Sequence, residues 1–151
     1  MKYLIGAILL LTISLCSCSS ERNSQNGSGD TLLSHSITIG ESGGFTGNNS
    51  GYSIDSTGLV KSFEGILTTK GSEKEKGRLN KEQIQKVNEL ISEVLKAKYS
   101  EKGNITSYIT LRKDGTATRY SWPGPAPDRN VPEAVSRFYS EVKSIIKSLQ
   151  D

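Results

Sequence analysis

The chain has 151 residues, with 19 Lys and Arg against 16 Asp and Glu, a formal net charge of +3, one His and two Cys. This charge balance favours neither nucleic acid nor a strongly acidic partner. One histidine excludes a site built from several His ligands, and the sequence has neither a phosphate-binding loop nor a nucleophile-elbow motif. We therefore expect no enzyme activity, no metal and no cofactor.

Residues 1–17 have the pattern of a signal peptide, with an apolar run over residues 3–15 that is too short to span a bilayer comfortably. The segment Leu15-Cys16-Ser17-Cys18 resembles the bacterial lipoprotein box, with an aliphatic residue three positions before the modified Cys. The resemblance implies cleavage before Cys18, a diacylglyceryl group on its sulfur and an acylated (palmitate-type) amine. An ordinary secretory signal with two incidental cysteines is the alternative.

We expect residues 18–30 to be the lipidated Cys and a flexible tether. The tether is predicted because residues 19–30 include no apolar side chain that could be buried. Several acyl chains anchor a protein firmly to a membrane. Ser19, rather than Asp, follows the modified Cys, and in the lipoprotein family this favours the outer membrane. We expect a lipid-anchored protein of the bacterial cell envelope.

Residues 31–151 are enough for one domain with its own core. Alternating apolar residues predict three strands, over 36–41, 52–55 and 59–63, and an extension of the third through 66–69 is left open. The charged, glycine-containing segment 70–78 predicts a solvated loop.

Two amphipathic helices are predicted. The first spans 80–99, with Asn80 as N-cap and Gln83 completing a capping box. The second follows Asn130 as N-cap and has Pro132 in its first turn.

Between the helices, Asp114-Gly115 predicts a two-residue hairpin turn that joins strands 105–112 and 116–122. This register places Ile109 opposite Tyr120. It brings the apolar side chains of the hairpin to one face and leaves the other face solvated. The apolar set is Ile109, Leu111, Tyr120 and Trp122, and the solvated set is Tyr108, Arg112 and Arg119.

The predicted order is β-β-β-α-β-β-α. It indicates an α+β fold, with an antiparallel sheet of 4–5 strands and both helices packed on one face.

The glycine-rich segment 42–51 is the first candidate binding site. Gly and Asn permit sharp bends, and the aromatic side chain of Phe45 could contact a protein partner. The candidate residues are Gly43, Gly44, Phe45, Thr46, Gly47 and Asn48. The alternative is a long hairpin connection shaped by turn chemistry alone.

The proline-rich segment 123–129 is the second candidate, with Trp122 at the base of a further recognition edge. A stiff crossover to the last helix is the alternative. Asp55 and Glu64, as neighbours across a turn, are the remaining candidates for an acid/base pair, although solvated strand residues are the simpler interpretation.

The segment Ser42-Gly43-Gly44-Phe45-Thr46-Gly47, with the order of elements around it, resembles the emfourin family of small bacterial inhibitors of thermolysin-like metalloproteases. The resemblance implies a non-enzymatic binding module that inhibits a protease through this loop. The alternative is a structural or assembly lipoprotein that binds another envelope protein through its sheet face.

Overall fold

The computed structural model describes residues 32–45, 47–66 and 71–149. They form an antiparallel sheet and two helices, which confirms the predicted α+β class, with six strands rather than four or five. The predicted signal peptide, the predicted lipidation site Cys18 and the predicted tether lie outside the described residues. In chain order the elements are β1 (Ser36–Gly43), β2 (Asn48–Ile54), β3 (Leu59–Ile66), β4 (Ser72–Arg78), α1 (Lys81–Val94), β5 (Ile105–Lys113), β6 (Thr116–Pro123) and α2 (Glu133–Lys147).

The strand order is β4-β3-β2-β1-β5-β6, and every neighbouring pair is antiparallel. The predicted register of the β5–β6 hairpin is confirmed, since Ile109 is paired with Tyr120. Asp114 and Gly115 both have positive φ, of 49° and 79°, as the tight turn between twisted strands requires.

Strand β4 corrects the prediction of a loop over 70–78. Its backbone pairs with β3, while most of its charged side chains remain in solvent. The composition is that of an edge strand, where charged side chains discourage pairing with another chain. Hydrophobic alternation could not reveal a strand that buries no apolar side chain.

The capping box of α1 is confirmed. The Gln83 backbone N–H donates to Asn80 Oδ1 at 2.8 Å, and the Asn80 N–H donates to Gln83 Oε1 at 2.9 Å. The helix ends at Val94, earlier than predicted, because Leu95 already takes the C-cap position.

The predicted N-cap of α2 is wrong. Pro132 occupies the N-cap position, and no side chain caps the helix. The Asn130 backbone N–H instead donates to Asp128 Oδ1 at 2.8 Å, so Asn130 belongs to the preceding turn.

Both helices pack on the same face of the sheet around one core. The predicted apolar side of the β5–β6 hairpin is buried there, and the Tyr120 hydroxyl donates to the Val94 carbonyl at 2.8 Å. None of the described helices is both long enough and apolar enough to cross a membrane.

Candidate functional site

The loop between β1 and β2 is shorter than the predicted loop over residues 42–51. Strand β1 continues through Gly43 and β2 begins at Asn48, so only residues 44–47 connect them. The Gly47 N–H donates to the Gly44 carbonyl at 3.1 Å, and both glycines have positive φ, of 64° and 74°. Thr46 lies outside the described residues. The segment is therefore a tight hairpin tip on a six-stranded sheet.

Phe45 projects fully into solvent at this tip. Ile66 and Ile105, which are 49% and 46% exposed, lie at the same end of the sheet. One register row runs from Ile66 through Asn48 and Gly43 to Ile105, and three strand spacings of about 4.8 Å separate the two isoleucines by roughly 14 Å. We call Phe45, Ile66 and Ile105 the tip patch.

The hairpin tip is held against the segment that enters β5. The Gly44 N–H donates to the Asn104 carbonyl at 2.8 Å. Gly43 has a φ of 118°, and a Cβ at this position would overlap the Asn104 backbone. Glycine is required here for both conformation and space.

The first described residues lie at the far end of β1 from the tip. The Leu33 N–H donates to the Ser56 carbonyl in the β2–β3 turn at 2.9 Å. Asn88 Nδ2 donates to the Leu32 carbonyl at 3.0 Å, and Asn88 Oδ1 accepts a hydrogen bond from the Ser34 N–H at 2.9 Å. Because β1 has eight residues, its first and last Cα atoms are roughly 23 Å apart. The chain thus enters the domain opposite the tip patch.

Trp122 cannot take the predicted binding role, because its side chain is fully buried. Its ring packs edge-to-face against Tyr139, with 4.9 Å between the centroids. The segment that follows adheres to the domain: the Gly124 N–H donates to the Ile105 carbonyl at 2.9 Å, and the Tyr139 hydroxyl donates to the Pro125 carbonyl at 3.1 Å. These bonds favour the stiff-crossover interpretation of 123–129.

The sheet face opposite the helices carries exposed Arg112 and Arg119, as predicted, but Tyr108 is only 5% exposed. Its ring lies over Gly40, and its hydroxyl donates to Asn49 Oδ1 at 2.8 Å. The Arg119 guanidinium stacks 3.8 Å above the ring centroid. Burial raises the pKa of Tyr108, although Arg119 opposes the shift. Tyr108 therefore fills the space above a glycine and is not a solvated residue.

Asp55 and Glu64 are not brought together. Asp55 lies in the β2–β3 turn, and Glu64 is five residues beyond the start of β3, which corresponds to roughly 16 Å. Asp55 Oδ1 accepts hydrogen bonds from Thr57 N, Thr57 Oγ1 and Leu59 N, at 2.8, 2.6 and 3.1 Å. Asp55 holds the turn together.

A polar cleft on the helix side of the sheet was missed by the sequence prediction. The core-facing positions of β1, β2 and β3 change from apolar at one end to polar at the other, and the helices leave the polar corner open. From the apolar end to the polar end, the positions are Ile37, Ile39 and Glu41 in β1; Ile54, Tyr52 and Ser50 in β2; and Val60, Ser62 and Glu64 in β3. This loss of apolar alternation at one strand end was the available signal.

No family model and no curated protein matches the chain. The emfourin resemblance of residues 42–47 therefore stays a prediction.

Proposed function

We propose that the protein is a lipid-anchored, non-enzymatic binding module of the bacterial cell envelope that contacts a protein partner with its hairpin tip. Cys18 is the proposed lipidation site and the outer membrane the proposed location. The observation that carries the proposal is the full exposure of Phe45 on a hairpin held by the Gly44–Asn104 hydrogen bond.

The physical basis is the apolar area that a partner would remove from water. Burying a Phe side chain contributes about 1.5–3 kcal/mol, which corresponds to roughly 10- to 150-fold in affinity. Aromatic anchors of this kind dominate many interfaces. A tip that is already held in place loses less conformational entropy on binding.

A single exposed apolar residue is common on protein surfaces and needs no function. Here Ile66 and Ile105 add exposed apolar area at the same end of the sheet. This end lies opposite the point where the chain enters the domain, so a membrane-tethered molecule can present it to a partner. The emfourin resemblance narrows the proposed partner to a thermolysin-like metalloprotease.

The test is a titration of the full chain, purified in detergent, against a thermolysin-like metalloprotease, with a serine protease as control. Wild type should inhibit only the metalloprotease, and Phe45→Ala should weaken inhibition about tenfold or more. Leu95→Ala is the matched control, since Leu95 is 40% exposed at the end of α1, away from the tip. Equal inhibition by wild type and Phe45→Ala would contradict the proposed role of the tip.

A second candidate is binding of an envelope protein through the uncovered sheet face. The observation in its favour is Arg119, a cation held in place by stacking on Tyr108. This candidate predicts that Arg119→Ala abolishes partner binding and that Phe45→Ala leaves it unchanged.

A further inference from the structure

A cleft of about 380 Å³ opens between α2 and the sheet, on the corner that the helices do not cover. Two cross-strand rows form its floor. In the first row Glu41 is paired with Ser50, Ser50 with Glu64 and Glu64 with Ser72. The second row, two residues along each strand, has Tyr52, Ser62 and Lys74. The floor therefore combines hydroxyl groups with charges of both signs.

One wall of the cleft is the face of α2 that carries Tyr139 and Lys143. Lys143 Nζ donates to the Tyr139 hydroxyl at 3.0 Å, and that hydroxyl donates to the Pro125 carbonyl. The edge-to-face contact of Tyr139 with buried Trp122 fixes the ring. This chain of contacts holds the Lys143 ammonium at the cleft.

Lys143 carries its proton at neutral pH. Partial desolvation acts to lower its pKa, but the hydrogen bond with Tyr139 and the negative charge of Glu41 outweigh this influence and raise the pKa. The cleft thus presents a persistent positive charge on the helix wall, facing a sheet floor that carries carboxylates.

The cleft contains two carboxylates and two ammonium groups, from Glu41, Glu64, Lys74 and Lys143. Four ion pairs are formed within residues 32–45, 47–66 and 71–149, and none joins two of these groups. Two strand spacings place the Cα atoms of Glu41 and Glu64 roughly 10 Å apart. Opposite charges therefore share one cleft without neutralising each other by direct contact.

We propose that this cleft binds a small zwitterion of the amino-acid or short-peptide class. Its ammonium group would lie against Glu41 and Glu64, and its carboxylate would accept hydrogen bonds from Lys143. A ligand of one sign would be repelled by half of the lining charges, whereas a zwitterion complements both signs. Hydroxyls of Ser50, Ser62 and Tyr52 can bond a peptide amide.

The size and position of the cleft agree with such a ligand. A volume of about 380 Å³ is at the small end of the range of ligand pockets. Phe45 is not part of the lining. The cleft is therefore independent of the hairpin-tip proposal, and either proposal can fail without the other.

The experiment is an NMR titration of the isotope-labelled full chain in detergent micelles. The probe is the dipeptide Ala-Ala, and the control is the same dipeptide acetylated at its N-terminus and amidated at its C-terminus. We expect saturable shifts of the amide signals of Ser50 and Ser62 with Ala-Ala. The blocked dipeptide should bind about two- to fivefold more weakly for each charge that it lacks.

Variants that remove single charges test which side chains of the cleft bind the dipeptide. Lys143→Met and Glu41→Gln should each weaken Ala-Ala binding about two- to fivefold. Lys102→Met and Glu75→Gln are matched controls on exposed residues outside the cleft lining, and they should bind like wild type. No saturable shift at millimolar Ala-Ala, equal binding of both dipeptides, or an equal effect of the control variants would each overturn the proposal.

Discussion

The β2–β3 turn offers the sharpest test of how the domain is held together. One oxygen, Asp55 Oδ1, accepts three hydrogen bonds, two from Thr57 and one from Leu59. Arg78 extends this network to β4, because its guanidinium donates to the Thr57 carbonyl and to Thr57 Oγ1 at 2.8 and 2.7 Å. Asp55→Ala removes the acceptor that organises the whole turn.

The expected loss of stability follows from these bonds. Each hydrogen bond contributes a net of about 0.5–1.5 kcal/mol, and replacing a side chain that caps backbone N–H groups by Ala costs about 0.5–2 kcal/mol. Because Asp55 is exposed, water takes over part of the bonding in the variant. We therefore expect Asp55→Ala to lower the free energy of unfolding by about 1–2 kcal/mol at neutral pH.

The effect of Asp55→Ala should depend on pH. Slight desolvation acts to raise the pKa of Asp55, but the hydrogen bonds from Thr57 and Leu59 outweigh it and lower the pKa below its ordinary 3.8. A lowered folded-state pKa means that the stabilisation is complete above pH 3.8 and is lost as pH falls through the lower folded-state value. Asp55→Asn keeps an acceptor oxygen and should remove the pH dependence with a smaller loss.

The assay is urea unfolding at neutral and acidic pH, followed by the fluorescence of Trp122, the only tryptophan and a fully buried one. Glu89→Ala, an exposed carboxylate on α1, is the control and should change little. A difference between wild type and Asp55→Ala that stays the same at both pH values would refute the reasoning. So would a loss below about 0.3 kcal/mol, within the range of surface substitutions.

Three further substitutions test separate contacts by the same urea measurement. Asn80→Ala removes the N-cap of α1 and should cost about 1 kcal/mol; no change in the midpoint would contradict the cap. Gly43→Ala forces a side chain into a positive φ and against the Asn104 carbonyl, so it should cost about 1–3 kcal/mol. Tyr120→Phe removes one of two donors to the Val94 carbonyl, which keeps the bond from the Ala97 N–H at 3.0 Å, and it should cost about 0.5–1.5 kcal/mol. No loss of stability would contradict a stabilising role of the hydroxyl.

The parts of the fold that sequence predicted well are those where two local signals agree. In the β5–β6 hairpin, the Asp114-Gly115 turn and the apolar alternation specify the same register. In α1, the Asn80 cap and the apolar stripe mark the same start. Strand β4 has neither signal, because its pairing with β3 depends on backbone hydrogen bonds at an edge.

The candidate sites were less predictable, because exposure depends on tertiary packing. Phe45 and Trp122 are both aromatics beside glycine or proline, yet one is fully exposed and the other fully buried. The hairpin register already placed Trp122 on the apolar face, and in the structure its ring also packs against Tyr139 of α2. The cleft likewise depends on which corner of the sheet the helices leave open, and strand periodicity does not contain that information.

The most direct test of the hairpin-tip proposal is site-specific photo-crosslinking in living cells. A photoreactive phenylalanine analogue replaces Phe45 in one variant and Arg119 in a second, and a third variant carries it at Glu89 as a control for random contacts. The tip proposal predicts one discrete protein adduct from position 45 and none from positions 119 and 89. An adduct from position 119 with none from position 45 would contradict the proposal and favour the sheet face as the binding surface.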